Sequence, residues 1–82
     1  KKDARSIEFP VKVPAGGERS ISRPHEGEEF LIVQRGKITL EYGAESFCLA
    51  EGDTLYFDAD TPHRLHNPNR SAAEVLCVFL EK

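Results

Sequence analysis

Three side chains that can bind a metal ion are spaced so that folded strands could bring them together. His25 and Glu29 are four residues apart across a turn that contains Gly27, and His63 comes much later, after the turn Asp60-Thr61-Pro62. Two imidazoles and one carboxylate can cap one face of a divalent ion and leave its other positions open to water or substrate. The sequence therefore predicts a metal site formed by His25, Glu29 and His63.

An arginine stands beside these candidate ligands. Arg23 is two residues from His25, so on a strand both side chains face the same way, but a guanidinium does not lose a proton to bind metal. It could pair with Glu29 and take the place of the ion, since a buried guanidinium needs a partner. It could instead anchor an anionic ligand, a carboxylate or phosphonate, through its planar fork. We favour the anchor, because a simple ion pair gives His25 and His63 no reason to persist.

The remaining polar and aromatic residues have simpler interpretations. Glu28 and His66 should point away from the site, because neighbouring strand residues alternate between faces. Asn67 is expected to bond the backbone of a turn. Four aromatic residues could line a pocket or pack in the core. Of these we choose Phe47 and Tyr56 as ligand-binding candidates, and no residue is assigned a catalytic role. The four are Tyr42, Phe47, Tyr56 and Phe57.

Eight short strands would have to position these residues. Helix signals are weak and turn residues recur every eight to ten positions, which is typical of a β-sandwich or barrel. The dipeptide Arg35-Gly36 is predicted to close a tight hairpin between the third and fourth strands. The predicted strands are 6–13, 18–22, 29–34, 37–42, 46–50, 53–58, 63–67 and 73–81.

The composition favours one small domain with a partner. The chain has 82 residues and a net charge of −3, which disfavours a nucleic-acid surface, and no apolar run approaches the ~20 residues of a membrane span. A domain of this size has a marginal core. The runs FLIV (30–33) and VLCVFL (75–80) are apolar on both strand faces, and such strands need a second covering layer. We therefore predict a homodimer.

Cysteine and methionine usage gives two further expectations. Cys48 and Cys77 both lie in apolar runs and are interpreted as small buried hydrophobes in a reducing cytoplasm. A disulfide between them would require that their strands be neighbours. The sequence contains no methionine, so we expect the chain to be a segment of a longer protein.

The candidate ligands and glycines resemble the two sequence motifs of the cupin superfamily over residues 16–80. The first motif, G-x5-H-x-H-x3-4-E-x6-G, is similar to residues 17–36, except that its leading histidine is Arg23. The second, G-x5-P-x-G-x2-H-x3-N, is similar to residues 52–67, except that aspartates replace its proline and glycine. The matched positions are Gly17, Arg23, His25, Glu29 and Gly36, followed by Gly52, Asp58, Asp60, His63 and Asn67.

This resemblance implies a fold and a set of site residues. The expected fold is an all-β, cupin-type double-stranded β-helix, or jelly-roll barrel, with residues 1–82 as a single cupin domain. Three of the four family ligands are kept, namely His25, Glu29 and His63. The family binds divalent metals, so Fe, Mn, Ni or Zn is the expected cofactor.

The resemblance also implies two alternative functions. The stretches 25–40 and 52–76 look most like the C-terminal cupin domain of small helix-turn-helix transcription regulators. That implies a small-ligand-sensing domain whose DNA-binding part lies outside this chain and which does not itself bind nucleic acid. Phosphonate epoxidases with iron use a similar His-x3-Glu…His triad. The alternative is therefore a metal-dependent cupin enzyme, an oxygenase, epoxidase or isomerase that acts on a small anionic substrate.

Overall fold

The computed structural model describes residues 5–19 and 27–81, and this part of the chain folds entirely into strands and connecting turns. The eight strands alternate with turns at the predicted spacing, and the bounds of β4 and β8 are those the sequence predicted. The strands are β1 (Arg5–Val13), β2 (Glu18–Arg19), β3 (Glu28–Arg35), β4 (Lys37–Tyr42), β5 (Glu45–Ala50), β6 (Thr54–Asp58), β7 (His63–His66) and β8 (Ala73–Glu81).

The strands form two four-stranded antiparallel sheets. The first sheet has the order β1-β8-β3-β6 and the second has the order β2-β7-β4-β5. Successive strands along the chain cross repeatedly between the sheets, so two layers enclose one interior. This confirms the all-β jelly-roll prediction. In the described part of the chain no helix is long and apolar enough to cross a membrane.

The turn at Arg35-Gly36 does not close a hairpin, and that prediction is wrong. β3 pairs with β6 and β8, whereas β4 pairs with β5 and β7, so the turn carries the chain from one sheet to the other. Gly36 has a φ of +81°, and a Cβ there would lie 2.9 Å from the carbonyl oxygen of Ala72. Turn chemistry marks where the chain changes direction. Which strands then pair depends on the layer that buries their apolar faces.

Alternation along each strand places one side-chain set inside. On β3, Leu31 and Val33 are buried while Phe30 and Ile32 are only partly so. The core joins the two sheets and consists of Val11, Val13, Leu31, Val33, Ile38, Leu40, Leu65, Ala73, Val75 and Cys77. The runs predicted to be apolar on both faces therefore contribute Leu31, Val33, Val75 and Cys77 to this core, whereas Phe30, Ile32, Leu76 and Val78 are only partly buried.

Asn67 follows β7, and its side chain hydrogen-bonds to the backbone at the end of β1 and in the turn before β8. It is fully buried, and its Nδ2 donates to the carbonyl oxygens of Val13 at 3.0 Å and Ser71 at 2.9 Å. Its Oδ1 accepts from the backbone N–H of Asn69 at 3.0 Å. The expected turn-bonding role is confirmed, and it extends to the end of β1.

The two cysteines differ in environment. Cys77 on β8 is buried, as expected, but Cys48 on β5 is exposed, so its predicted burial is wrong. Phe47 and Leu49 pack against the core, and alternation turns the residue between them outward. The two strands belong to different sheets, and no disulfide joins the two thiols.

Candidate metal and ligand site

A buried carboxylate and a buried imidazole meet across the two sheets. Glu29 on β3 is 1% exposed, and His63 at the start of β7 is 6% exposed. His63 Nε2 lies 3.1 Å from Glu29 Oε1. These residues are 34 positions apart in sequence, and only the stacking of the first sheet on the second brings them together.

The turn before β7 sets the orientation of the His63 ring. His63 Nδ1 donates to the carbonyl oxygen of Thr61 at 2.7 Å, so Nε2 is the nitrogen that faces Glu29. Metal-binding histidines commonly donate their second ring N–H to a backbone carbonyl, which holds the ring and its tautomer in place. The local turn therefore presents Nε2 to the interior in the form that a metal requires.

Glu29 keeps one acceptor without a partner. Its Oε2 is buried and has no hydrogen-bond partner among the described residues. A buried polar atom normally has a partner, and an unpaired one costs free energy. The orphaned oxygen therefore marks a place where a further donor or a cation would be stabilised.

The surroundings of His63 act on its pKa in opposite directions. Burial, the largest single influence, lowers the pKa because it disfavours the imidazolium. The hydrogen bond that Glu29 accepts from the ring, the Thr61 carbonyl and the charge of Glu29 each raise the pKa, and together they place the pKa of His63 above its ordinary value of 6.5. In the metal-free protein the pair is thus held as an ion pair to a higher pH than a free histidine would allow.

Aromatic rings form one wall of the site. Phe57 pairs with Glu29 in the β3–β6 register, and its ring meets the His63 ring edge-on with centroids 5.0 Å apart. Tyr42 packs edge-on against Phe57 at 5.2 Å and donates its hydroxyl to the carbonyl oxygen of Asp58 at 2.9 Å. The wall is apolar where it faces the imidazole, which strengthens electrostatic interactions inside.

Tyr56 and Phe57 point to opposite faces of β6. Tyr56 is 56% exposed and faces outward, so the position beside His63 belongs to Phe57. Along this strand, polar Thr54, Tyr56 and Asp58 alternate with apolar Leu55 and Phe57. This alternation predicts that Phe57 faces the interior. Phe47, the other candidate, is partly buried against the core.

The structure brings together two of the predicted site residues. Glu29 and His63 are in contact, Glu28 is turned to the outer face and His66 is only partly buried, as alternation indicated. His25 and Arg23 lie outside the described residues. Within 5–19 and 27–81 no three His, Cys, Asp or Glu side chains are grouped to hold a metal.

Gly27 positions the start of β3, and we predict that it tolerates no side chain. Its φ is +130°, and a Cβ there would lie 2.6 Å from the carbonyl oxygen of Leu80. Gly27→Ala is expected to lower the free energy of unfolding by about 2–4 kcal/mol through strain and steric overlap. Chemical denaturation would measure this loss.

Gly52→Ala is the matched control for that prediction. Gly52 has a φ of +90°, and a Cβ at this position would have no other atom within 4 Å, so its substitution should cost only the backbone strain of about 1–2 kcal/mol. Equal losses in the two variants would contradict the argument that the approach of Leu80 requires glycine at position 27.

Comparison with known proteins agrees with this fold. Residues 9–79 match the family model described as Cupin domain. The uncharacterized protein MJ1618 of Methanocaldococcus jannaschii is 28% identical over 65 residues, which are 79% of this chain and 52% of that protein. The chain therefore spans about half the length of this relative.

Two solved structures share the architecture. The cupin domain of an XRE family transcriptional regulator from Enterobacter cloacae superposes with a TM-score of 0.84 at 20% identity, covering 94% of this chain and 81% of that one. Fe(II) HppE superposes with a TM-score of 0.78 at 21% identity, covering 90% of this chain and 42% of that one. At these identities the likeness shows the fold alone. Since the family model spans most of the sequence, the chain belongs to the cupin domain family.

Proposed function

We propose that this cupin domain senses a small anionic ligand as part of a cytoplasmic transcription regulator, with a divalent metal in its interior. Glu29, His63 and His25 would hold the metal, which is Fe, Mn, Ni or Zn, and Arg23 would anchor the anionic group of the ligand. The observation that carries the proposal is the buried Glu29–His63 pair with its orphaned carboxylate oxygen.

The separation of the two donor atoms fits a shared ion. Atoms that each bind one ion at about 2.1 Å lie about 3.0 Å apart in an octahedral site and about 3.4 Å apart in a tetrahedral one. The distance between His63 Nε2 and Glu29 Oε1 is 3.1 Å. One carboxylate with imidazole nitrogens is a donor set that suits iron, manganese, nickel and zinc. When bound, the metal would supply a Lewis-acid centre for an anionic ligand.

The chain's own residues would define the rest of the binding site. Thr61 fixes the His63 ring through its carbonyl oxygen, and Phe57 shields the imidazole on one side. A water-poor surrounding makes a charged contact to the ligand stronger than it would be in solvent. The planar guanidinium of Arg23 would supply such a contact in bidentate form to a carboxylate or phosphonate.

The sensor role is supported by similarity to the cupin domain of a transcriptional regulator, 81% of which this chain covers. The alternative is a metal-dependent oxygenase, epoxidase or isomerase acting on a small anionic substrate, and similarity to Fe(II) HppE supports it. In that case the same residues would orient the substrate beside the metal. Turnover of a bound anion, measured on the full protein, would favour the enzyme.

Metal titration tests the proposal directly. The parent protein, stripped of metal, is expected to bind Fe(II), Mn(II), Ni(II) or Zn(II) by calorimetry at pH 7.5, and more weakly at pH 5.5 because His63 must lose its proton to bind. The raised pKa of His63 extends this proton competition above pH 6.5. Affinity should therefore still increase between pH 6.5 and 7.5.

Two variants make the titration specific. Glu29→Gln keeps the shape of the side chain but removes its charge, and it should lower metal affinity at least about tenfold. His66→Ala removes a partly exposed imidazole of the outer face and should leave affinity unchanged. A parent protein that binds none of the four metals after reconstitution would contradict the metal site.

A further inference from the structure

Each of the two interior site residues has an aromatic neighbour on the adjacent strand. Phe57 on β6 stands opposite Glu29 on β3, and Tyr42 on β4 stands opposite His63 on β7. Residues directly opposite each other in an antiparallel pair project from the same face of the sheet. The two aromatic side chains therefore lie beside the carboxylate and the imidazole. We call these four residues the inter-sheet cluster.

The inter-sheet cluster joins the two sheets by one polar and one aromatic contact. Glu29 Oε1 and His63 Nε2 are 3.1 Å apart, and the rings of Tyr42 and Phe57 meet edge-on with centroids 5.2 Å apart. The ring of Phe57 also meets the imidazole edge-on at 5.0 Å. Phe57 thus contacts one donor residue and is the cross-strand partner of the other. In a close-packed interior its position restricts both of them.

Tyr42 holds Phe57 in this position from the opposite sheet. The Tyr42 hydroxyl donates to the carbonyl oxygen of Asp58 at 2.9 Å, and Asp58 follows Phe57 at the end of β6. Because β6 is an edge strand whose neighbour within the sheet is β3, a hydrogen bond from the second sheet supports it from another side. The Ala59 N–H donates to the carbonyl oxygen of Gly27 at 3.0 Å, which ties the same end of β6 to the start of β3.

The hydroxyl of Tyr42 contributes to placement more than to folding. Asp58 is exposed, so water can bond to its carbonyl oxygen when the hydroxyl is removed. The ring of Tyr42 is enough to pack against Phe57 and the core. What the hydroxyl adds is a fixed distance between β4 and the end of β6. Its removal should therefore leave the protein folded and loosen the site.

We propose that Tyr42 is a positioning residue of the metal site, acting through Phe57 to hold Glu29 and His63 at the separation that a shared ion requires. This role rests on the proposed function, because the ion is the one that Glu29 and His63 would bind. Groups that orient metal ligands commonly change metal affinity by about 10–100-fold when they are altered. Tyr42 touches neither the ion nor the ligand in this scheme and acts only by placing its neighbours.

Tyr42→Phe, which removes the hydroxyl and keeps the ring, tests this role. Calorimetry on the metal-stripped protein should show that Ni(II) binds about tenfold more weakly than to the parent. The visible absorption bands of bound Ni(II) should shift, because they report the geometry of the ligands. Circular dichroism checks that the variant is folded. Unchanged affinity and unchanged bands would overturn the proposal.

Tyr56→Phe is the matched control. It removes the same group from a side chain that is 56% exposed and that hydrogen-bonds to Glu28 on the outer face. The affinity for Ni(II) and the absorption bands should remain those of the parent. Equal changes in the two variants would show that loss of any tyrosine hydroxyl has this effect, and the role of Tyr42 would be refuted.

A double-mutant cycle tests the route through Phe57. Phe57→Leu removes the ring that contacts both Tyr42 and His63, and it should weaken Ni(II) binding at least as much as Tyr42→Phe does. Because Tyr42 acts through this ring, adding Tyr42→Phe to Phe57→Leu should lower the affinity no further. Fully additive losses would contradict the route.

A measurement without metal separates this role from the proposed function. In the metal-free parent, NMR should detect close contacts between ring protons of Phe57 and His63, whose centroids are 5.0 Å apart. These contacts should weaken in Tyr42→Phe and persist in Tyr56→Phe. If that difference is found in a parent that binds no Ni(II), the metal site is wrong and Tyr42 still positions the Glu29–His63 pair. If the parent binds Ni(II) and neither measurement changes in Tyr42→Phe, the positioning role is wrong and the metal site stands.

Discussion

Replacing His63 with alanine is expected to lower the free energy of unfolding by about 3–5 kcal/mol near pH 6, because the substitution leaves the Glu29 carboxylate buried without its imidazole partner. Both side chains are at most 1% exposed, so water cannot take over the role of the lost partner. A small domain has only about 5 kcal/mol or slightly more in total. Urea denaturation followed by circular dichroism would measure the loss.

His66→Ala provides the matched control within the same strand. The His66 side chain is 31% exposed, and its Nδ1 is 3.7 Å from Glu18 on the outer surface. Surface substitutions of this kind usually change stability by about 0.5 kcal/mol or less. Equally small losses in the free energy of unfolding for His63→Ala and His66→Ala would show that the Glu29–His63 pair does not stabilise the fold. That result would contradict the site described above.

The stability of the His63→Ala variant relative to the parent should also depend on pH. Because the folded-state pKa of His63 is raised above 6.5, the ion pair contributes fully below pH 6.5 and its contribution is lost as pH rises through the folded-state value. The stability difference between metal-free parent and His63→Ala should therefore shrink with increasing pH. With metal present the parent should instead gain stability as pH rises, since metal binds the neutral ring.

Replacing Arg23 with alanine is expected to abolish the binding of small anions while leaving stability close to that of the parent. The reason is that a bidentate guanidinium contact is lost, whereas the Glu29–His63 pair remains intact. Methylphosphonate and a panel of small carboxylic acids are suitable probes, with affinity measured by calorimetry on the metal-loaded protein. Arg23→Lys, which keeps the charge and loses the planar fork, should bind with intermediate affinity.

The competing hypothesis for Arg23 predicts a different result. If the guanidinium pairs with Glu29 in place of an ion, Arg23→Ala should cost about 3–5 kcal/mol. Arg23→His, which restores the leading histidine of the family pattern, would then create metal affinity where the parent has none. Under the anchor hypothesis the parent already binds metal, and Arg23→His only tightens it. A large loss of stability in Arg23→Ala, with no metal bound by the parent, would overturn our interpretation.

The sequence by itself determined where the strands lie and which way most side chains face. Alternation is a local property of an extended chain, so it separated buried Glu29 from Glu28, and inward His63 from His66. Motif spacing likewise selected Glu29 and His63 as partners. The same rule, applied to residues 54–58, would also have placed Phe57 rather than Tyr56 inside.

Only the tertiary structure decided which strands pair and what each pairing exposes. Arg35-Gly36 reads as a hairpin turn, yet its flanking strands belong to different sheets, because burial of one face of each strand outweighs local turn preference. Cys48 lies in an apolar run but faces outward, since Phe47 and Leu49 pack against the core and the residue between them is turned away from it. The 3.1 Å contact between Glu29 and His63 likewise depends on how two sheets stack, and stacking is a non-local event that no single segment encodes.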